Sequence, residues 1–176
     1  MKRFFRRTLT SVYLFALIMW LAPFLRAQGK PAAKIKMKAS AISVEMIQSD
    51  EIKLPAEFQV ALYENLIQQL EKKDGSLHVY RQGDRNSRNV ANLVVLHSTV
   101  SGFKEGSQRK REVTTVAGAT SITIHCQFTD NQGKVLLERD IKGNVRFFGG
   151  NLKATYDFAK KATTLTRENF SAADGT

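Results

Sequence analysis

The strict alternation of Ile122, Ile124, Cys126 and Phe128 with Thr123, His125 and Gln127 is the feature that most restricts what this chain can become. Side chains on an extended backbone point alternately to opposite faces, so the first set is expected inside and the second outside. Asp130-Asn131-Gln132-Gly133 follows as a turn, and Val135 to Gly143 returns as the second arm of a hairpin, with Leu137 in reach of the same core. A hairpin with one apolar face is not stable alone in water, so other elements must cover that face.

Two stretches have the period to do so. Pro55 suits a helix start, where its missing N–H costs nothing. Phe58, Leu62, Leu66 and Leu70 then recur every four residues, with Ala61 and Gln69 beside them and Val60, Tyr63 and Ile67 widening the apolar side. Gly75 is a natural stop. After Gly149-Gly150, Asn151 is placed to cap a last helix reaching to about Phe170, with Leu152, Tyr156, Ala159 and Ala162 as its apolar side.

The other segments read as strands and loops. From Lys34, Ile35, Met37, Ala39 and Ala41 alternate with Lys34, Lys36, Lys38 and Ser40, and the pattern shifts over Ile42 to Met46 as a bulge or a second short strand. Leu77 to Tyr80 is a short strand. Leu93-Val94-Val95-Leu96, within Val90 to Val100, is apolar on both faces and therefore central in a sheet. Arg81 to Asn89 and Gly102 to Arg111 are polar loops. The sum is one α+β domain over 34–170, a mostly antiparallel or mixed sheet with two helices packed on it, followed by a flexible tail at 171–176.

Ahead of that domain stand a basic patch (Lys2, Arg3, Arg6, Arg7), an apolar run from Leu9 to Leu25, and a small residue at Ala27. This is the layout of a secretory signal, with cleavage expected between Ala27 and Gln28 and a linker at 28–33. The alternative is an uncleaved anchor, but the run holds 17 residues where a spanning helix needs about 20. Both place the domain beyond the membrane, in the periplasm or secreted. Arg6-Arg7 partly matches a twin-arginine signal with poorly fitting flanks, and the one Cys, Cys126, is not at the cleavage point as lipidation by that route requires. The whole sequence has 27 basic and 16 acidic residues; without the five cations of the signal, a formal +6 remains. That moderate charge on an exported domain points to anionic lipid or acidic polymer rather than nucleic acid.

Chemistry-bearing motifs are sparse. His125 and Cys126 are strand neighbours on opposite faces, so Cys126 reads as a core thiol. His78, His97 and His125 are scattered over strands, with no metal-ligand spacing. Gly102 to Gly106 lacks the Gly-Lys-Ser/Thr ending of a phosphate loop, and Val116 to Thr120 has a single Gly and leads into a strand, unlike a dinucleotide fingerprint. No Gly-x-Ser-x-Gly elbow occurs. Lys104, Arg109, Lys110 and Arg111 form the densest cationic cluster: a solvated loop by default, an anion-binding site as the functional reading, with Phe103 as an apolar anchor.

The segments "LIQQLEKKDG", "ANLVVLHSTVSGF" and "TTVAGATSITIHCQFTDNQGKVLLERDIKGNVRFFGGN" resemble uncharacterised bacterial secreted proteins and lipoproteins grouped as a domain of unknown function, over about 33–170. That group is similar to the envelope domains of the N-terminal part of TolB and of the curli-secretion lipoprotein. The resemblance implies a periplasmic or surface α/β domain and carries no catalytic residues; the absent lipid-acceptor Cys is a departure from the lipoprotein members. The expectation is a non-enzymatic envelope domain binding a protein partner, without cofactor. The alternatives are a binder of anionic lipid or polymer through the cationic cluster, and a hydrolase without a recognisable motif.

Overall fold

The computed structural model describes residues 35–73, 77–113, 118–145 and 150–173. The proposed signal, the Ala27/Gln28 cleavage site, the linker and Gly75 lie outside the described residues.

The described chain runs β1 (Met37–Ala39), β2 (Ala41–Val44), α1 (Ala56–Lys73), β3 (His78–Arg81), β4 (Leu93–Lys104), α2 (Gln108–Val113), β5 (Thr120–Thr129), β6 (Val135–Val145), α3 (Lys153–Asn169) and β7 (Phe170–Ala172). Five strands form one sheet in the order β3-β2-β4-β5-β6, and β1 pairs with β7 in a separate two-stranded sheet. The large sheet is mixed: β2 lies parallel to β3 and β4, whereas β4, β5 and β6 are antiparallel. This is an α+β fold, with β4 in the centre, where its two-faced apolar run belongs.

The hairpin alternation is obeyed: Ile122, Ile124, Cys126 and Phe128 are fully buried. On the covered face they meet Ile42, Val44, Val94, Leu96 and Val100, and α1 adds Phe58, Leu62, Leu66, Ile67 and Leu70. Pro55 stands immediately before α1, and its carbonyl accepts from the N–H groups of Phe58 and Gln59. Val60 is 62% exposed, so the buried stripe of α1 is narrower than the composition suggests.

Several expectations are corrected. The second short strand expected after the first alternation is present as β2, but the break falls at Ser40, ahead of Ile42, and passes the chain from one sheet to the other; Ile35 lies before β1 and is exposed. Ser171 and Ala172 are not a free tail. They pair with Lys38 and Ala39, and the Ala173 N–H donates to the Ala39 carbonyl at 2.8 Å. β4 extends to Lys104, and Gln108–Val113 is a short helix rather than loop.

α3 turns a different side to the core from the one expected. Leu152 and Tyr156 are exposed; Ala154, Thr155, Phe158, Ala159, Ala162, Thr163 and Thr166 are buried. Thr155 and Thr166 serve because their methyl groups pack while their hydroxyls bond back to the helix: Thr155 Oγ1 donates to the Leu152 carbonyl and Thr166 Oγ1 to the Ala162 carbonyl, at 2.7 and 3.0 Å. Asn151 does not cap α3 through its side chain, since that amide is engaged elsewhere. Gly143 lets α3 lie close on β6: a Cβ there would stand 2.8 Å from Phe158 Cβ and collide with the Ala154 carbonyl.

Candidate functional site

The cationic cluster is divided between two elements. Lys104 ends β4, opposite Ser121, and is exposed; Arg109, Lys110 and Arg111 fall on α2, with Arg109 and Lys110 exposed. The Arg111 side chain is outside what the structure describes. Ser107 stands immediately before α2, its hydroxyl accepts from the Lys110 N–H, and Gln108 Nε2 donates to Glu112 one turn on.

The base of this segment is firmly held. The Gly106 N–H donates to Thr120 Oγ1 at 3.0 Å, and that hydroxyl donates to Asn151 Oδ1 at 2.9 Å. Asn151 Nδ2 donates in turn to Glu105 and to the Gly106 carbonyl, both at 3.2 Å. A Cβ on Gly106 would overlap the backbone of Gly118 and Ala119, so this close approach requires glycine. Phe103 is not an outward anchor: it packs edge-on against Phe58 at 5.0 Å.

The sheet face away from the helices carries acid–histidine contacts that sequence spacing did not reveal. His125 Nδ1 lies 2.8 Å from Asp140 and Nε2 lies 2.9 Å from Glu138, both on β6. Only an imidazolium donates to both carboxylates at once. His97 Nδ1 lies 2.8 Å from Glu45, and its Nε2 lies 3.2 Å from Thr129 Oγ1. This hydroxyl–imidazole–carboxylate order is that of a nucleophile, base and orienting acid, but Thr129 is only 4% exposed, leaving little room for attack on a substrate. His78 stands apart on β3, stacked edge-on against Tyr80. Among the described residues no group of three or more His, Cys, Asp or Glu is arranged to hold a metal ion. The hairpin turn sets the register His125↔Asp140, so Glu138 and Asp140, two apart, were the available signal.

Cys126 is a buried free thiol on the helix side. Burial pushes it up to about 12, against a lowering contact from Ser98, whose Oγ lies 3.9 Å from Sγ. A thiol so rarely ionised is a poor nucleophile, in agreement with the core reading.

The edge of the sheet offers the concave surface. β6 is an edge strand of 11 residues, and α3 runs along it. Asp157 Oδ2 accepts from the Asn144 N–H at 2.9 Å, and Lys161 Nζ donates to the Lys142 carbonyl at 2.7 Å. The same Lys161 and Asp157 pair with each other at 2.7 Å. Between strand and helix lies an open groove of about 680 Å³, walled by Arg139, Ile141, Lys160, Lys161, Leu165 and Glu168.

Residues 30–145 match the model of a domain of unknown function, DUF4410. The chain belongs to the DUF4410 family. The unknown-function resemblance read from the sequence is thereby placed on a family. No curated protein matches it in sequence. Among solved structures, the PelC dodecamer of Paraburkholderia phytofirmans is similar in two crystal forms. One gives a TM-score of 0.52 at 14% identity, covering 74% of this chain and 90% of PelC. The other gives 0.53 at 13% identity, covering 72% and 87%. A DUF330 protein of Xanthomonas campestris gives 0.45 at 12% identity, over 81% of this chain and 86% of that one. At these identities the likeness to PelC is one of fold. No helix among the described residues is long and apolar enough to cross a membrane.

Proposed function

We propose that this DUF4410 chain is an exported, non-enzymatic domain of the cell envelope, periplasmic or at the cell surface, that works by binding a protein partner. The observation that carries the reading is the long β6 edge, only partly covered by α3, because an open sheet edge is a surface to which other polypeptide adds. The signal layout of Met1 to Ala27 supports export. The resemblance to envelope domains of TolB and the curli-secretion lipoprotein supports the location, and PelC, similar in fold, was solved as a dodecamer, which supports a role built on protein contacts. Crosslinking in intact envelopes, with N-terminal sequencing of the chain recovered from each cell fraction, tests the proposal. The expected result is a chain starting at Gln28 and crosslinked to protein. An intact chain starting at Met1 and free in the cytosol overturns it, as does turnover of an ester, glycoside or phosphate substrate.

A second reading, a binder of anionic lipid or acidic polymer, is favoured by the outward Arg109 and Lys110 on a rigidly based segment. Changing Lys104, Arg109, Lys110 and Arg111 to Ala then removes salt-sensitive binding to phosphatidylglycerol vesicles. Partner binding that persists in high salt favours the first reading.

A further inference from the structure

We infer that β6 pairs antiparallel with β6 of a second copy of this chain about a two-fold axis at Asp140, joining two five-stranded sheets into one. This deepens the proposed function by naming its protein partner, and rests on that reading.

The length of open edge fixes the register. The Asn144 N–H and the Lys142 carbonyl turn away from β5, since α3 reaches them. Alternate residues of a strand share this direction, so the N–H and C=O groups of Asp140 and Glu138 face the same edge. At one end of that edge, Asp157 occupies the Asn144 N–H. At the other, the pairing passes from Phe128↔Leu137 to Thr129↔Val135, so Leu136 is an extra residue and the regular alternation stops there. Glu138 to Lys142 remain between these bounds, and the Lys142 carbonyl keeps a second lone pair beside its bond from Lys161. A two-fold pairing that uses this whole window centres on Asp140.

Charge agrees with that register. Centred on Asp140, it sets Glu138 opposite Lys142 of the second copy, and Lys142 opposite Glu138, for two unlike pairs. The like pair, Asp140 against its copy, is single, and each of these carboxylates keeps its own His125 at 2.8 Å. Centring on Arg139 instead sets Arg139 against its copy and, twice, Glu138 against Asp140. Centring on Glu138 sets that carboxylate against its copy. Centring on Ile141 calls on the Asn144 N–H, which Asp157 holds. On the helix side, Arg139 of the second copy comes beside Ile141, in the groove that Glu168 walls.

The same surface disfavours other occupants. The groove and Glu138 together carry four Lys or Arg and four Asp or Glu side chains, so neither an acidic nor a basic segment is selected. A second copy brings the same balance in the opposite order, as a two-fold contact requires. The other sheet edge of a second copy, β3, brings His78 and Arg81 and no carboxylate.

Sedimentation equilibrium of the purified full chain reads the dimer, and amide hydrogen exchange reads its place. Protection of the Glu138, Asp140 and Lys142 amides is expected to grow with protein concentration. Glu138→Lys and Lys142→Glu each turn two unlike pairs into like ones, and each alone is expected to weaken association roughly tenfold or more. An equal mixture of the two variants restores both unlike pairs and is expected to associate about as tightly as the unaltered chain. Glu138→Lys also gives up the contact with His125; if that variant fails to fold, the loss of association and of Asp140 protection in Lys142→Glu still decides. A chain that stays monomeric overturns the inference, as does association that neither substitution weakens or a mixture no tighter than its components. A different protein crosslinked in the envelope while the purified chain stays monomeric overturns this inference alone. Charge-dependent dimers of a chain found in the cytosol support it and overturn only the envelope reading.

Discussion

Asp157 on α3 accepts the edge-facing N–H of Asn144 on β6 at 2.9 Å, so a helix side chain completes a hydrogen bond that a neighbouring strand would otherwise make. Asp157→Ala leaves that N–H without its charged acceptor and lengthens the open edge. The expected cost is about 1–3 kcal/mol, read by urea denaturation, together with faster aggregation. Lys161→Ala, which frees a more exposed carbonyl contact, is expected to cost less.

Thr163 has a buried hydroxyl with no partner among the described residues. Its neighbours Thr155 and Thr166 bond back to the helix, but Thr163 gains nothing for its desolvation. Thr163→Val, with the same shape, is expected to stabilise the domain by about 1 kcal/mol, visible as a higher urea midpoint at unchanged slope.

Cys126 predicts an alkaline limit. Its thiol titrates near 12 in the folded chain rather than at its ordinary 9.0, so the native state holds the proton longer than the unfolded one. The stabilisation is fully present below pH 9 and is lost as pH rises toward about 12. Cys126→Ala is expected to flatten that part of a stability–pH curve. In the native protein a thiol reagent at pH 8 should label Cys126 only at the rate of unfolding.

Gly143→Ala drives a methyl group into the Ala154 carbonyl and Phe158. Because the obstruction is helix backbone, α3 must move off β6. A loss of about 1–3 kcal/mol or more is expected, measured by thermal unfolding, and the Asn144 amide should exchange faster.

The parts legible in the sequence were those governed by local period. Ile122 to Phe128 and Phe58 to Leu70 declared their buried faces because neighbouring residues alone set strand and helix direction. The pairing of β2 in parallel with both β3 and β4 had no such signature, being made by residues far apart in the chain. The face of α3 was misread because Thr155, Thr163 and Thr166 look polar in a string of letters, and only helix back-bonding makes two of them fit for burial. Arg109 and Lys110 were found as a cluster, though their helix was not. The Glu138–His125–Asp140 contact required the hairpin register, and the β6 groove required knowing which edge α3 would follow.

The pairing of β1 with β7 bears on how such a polypeptide matures. Met37, Lys38 and Ala39 are made early, yet the backbone they bind is Phe170, Ser171 and Ala172. A ribosome or a translocase delivering the chain amino end first leaves β1 waiting through most of the domain's length. Closure is thus a late event, and a truncation just short of Phe170 would strip the opening strand of its mate while leaving the hairpin and both long helices fully encoded.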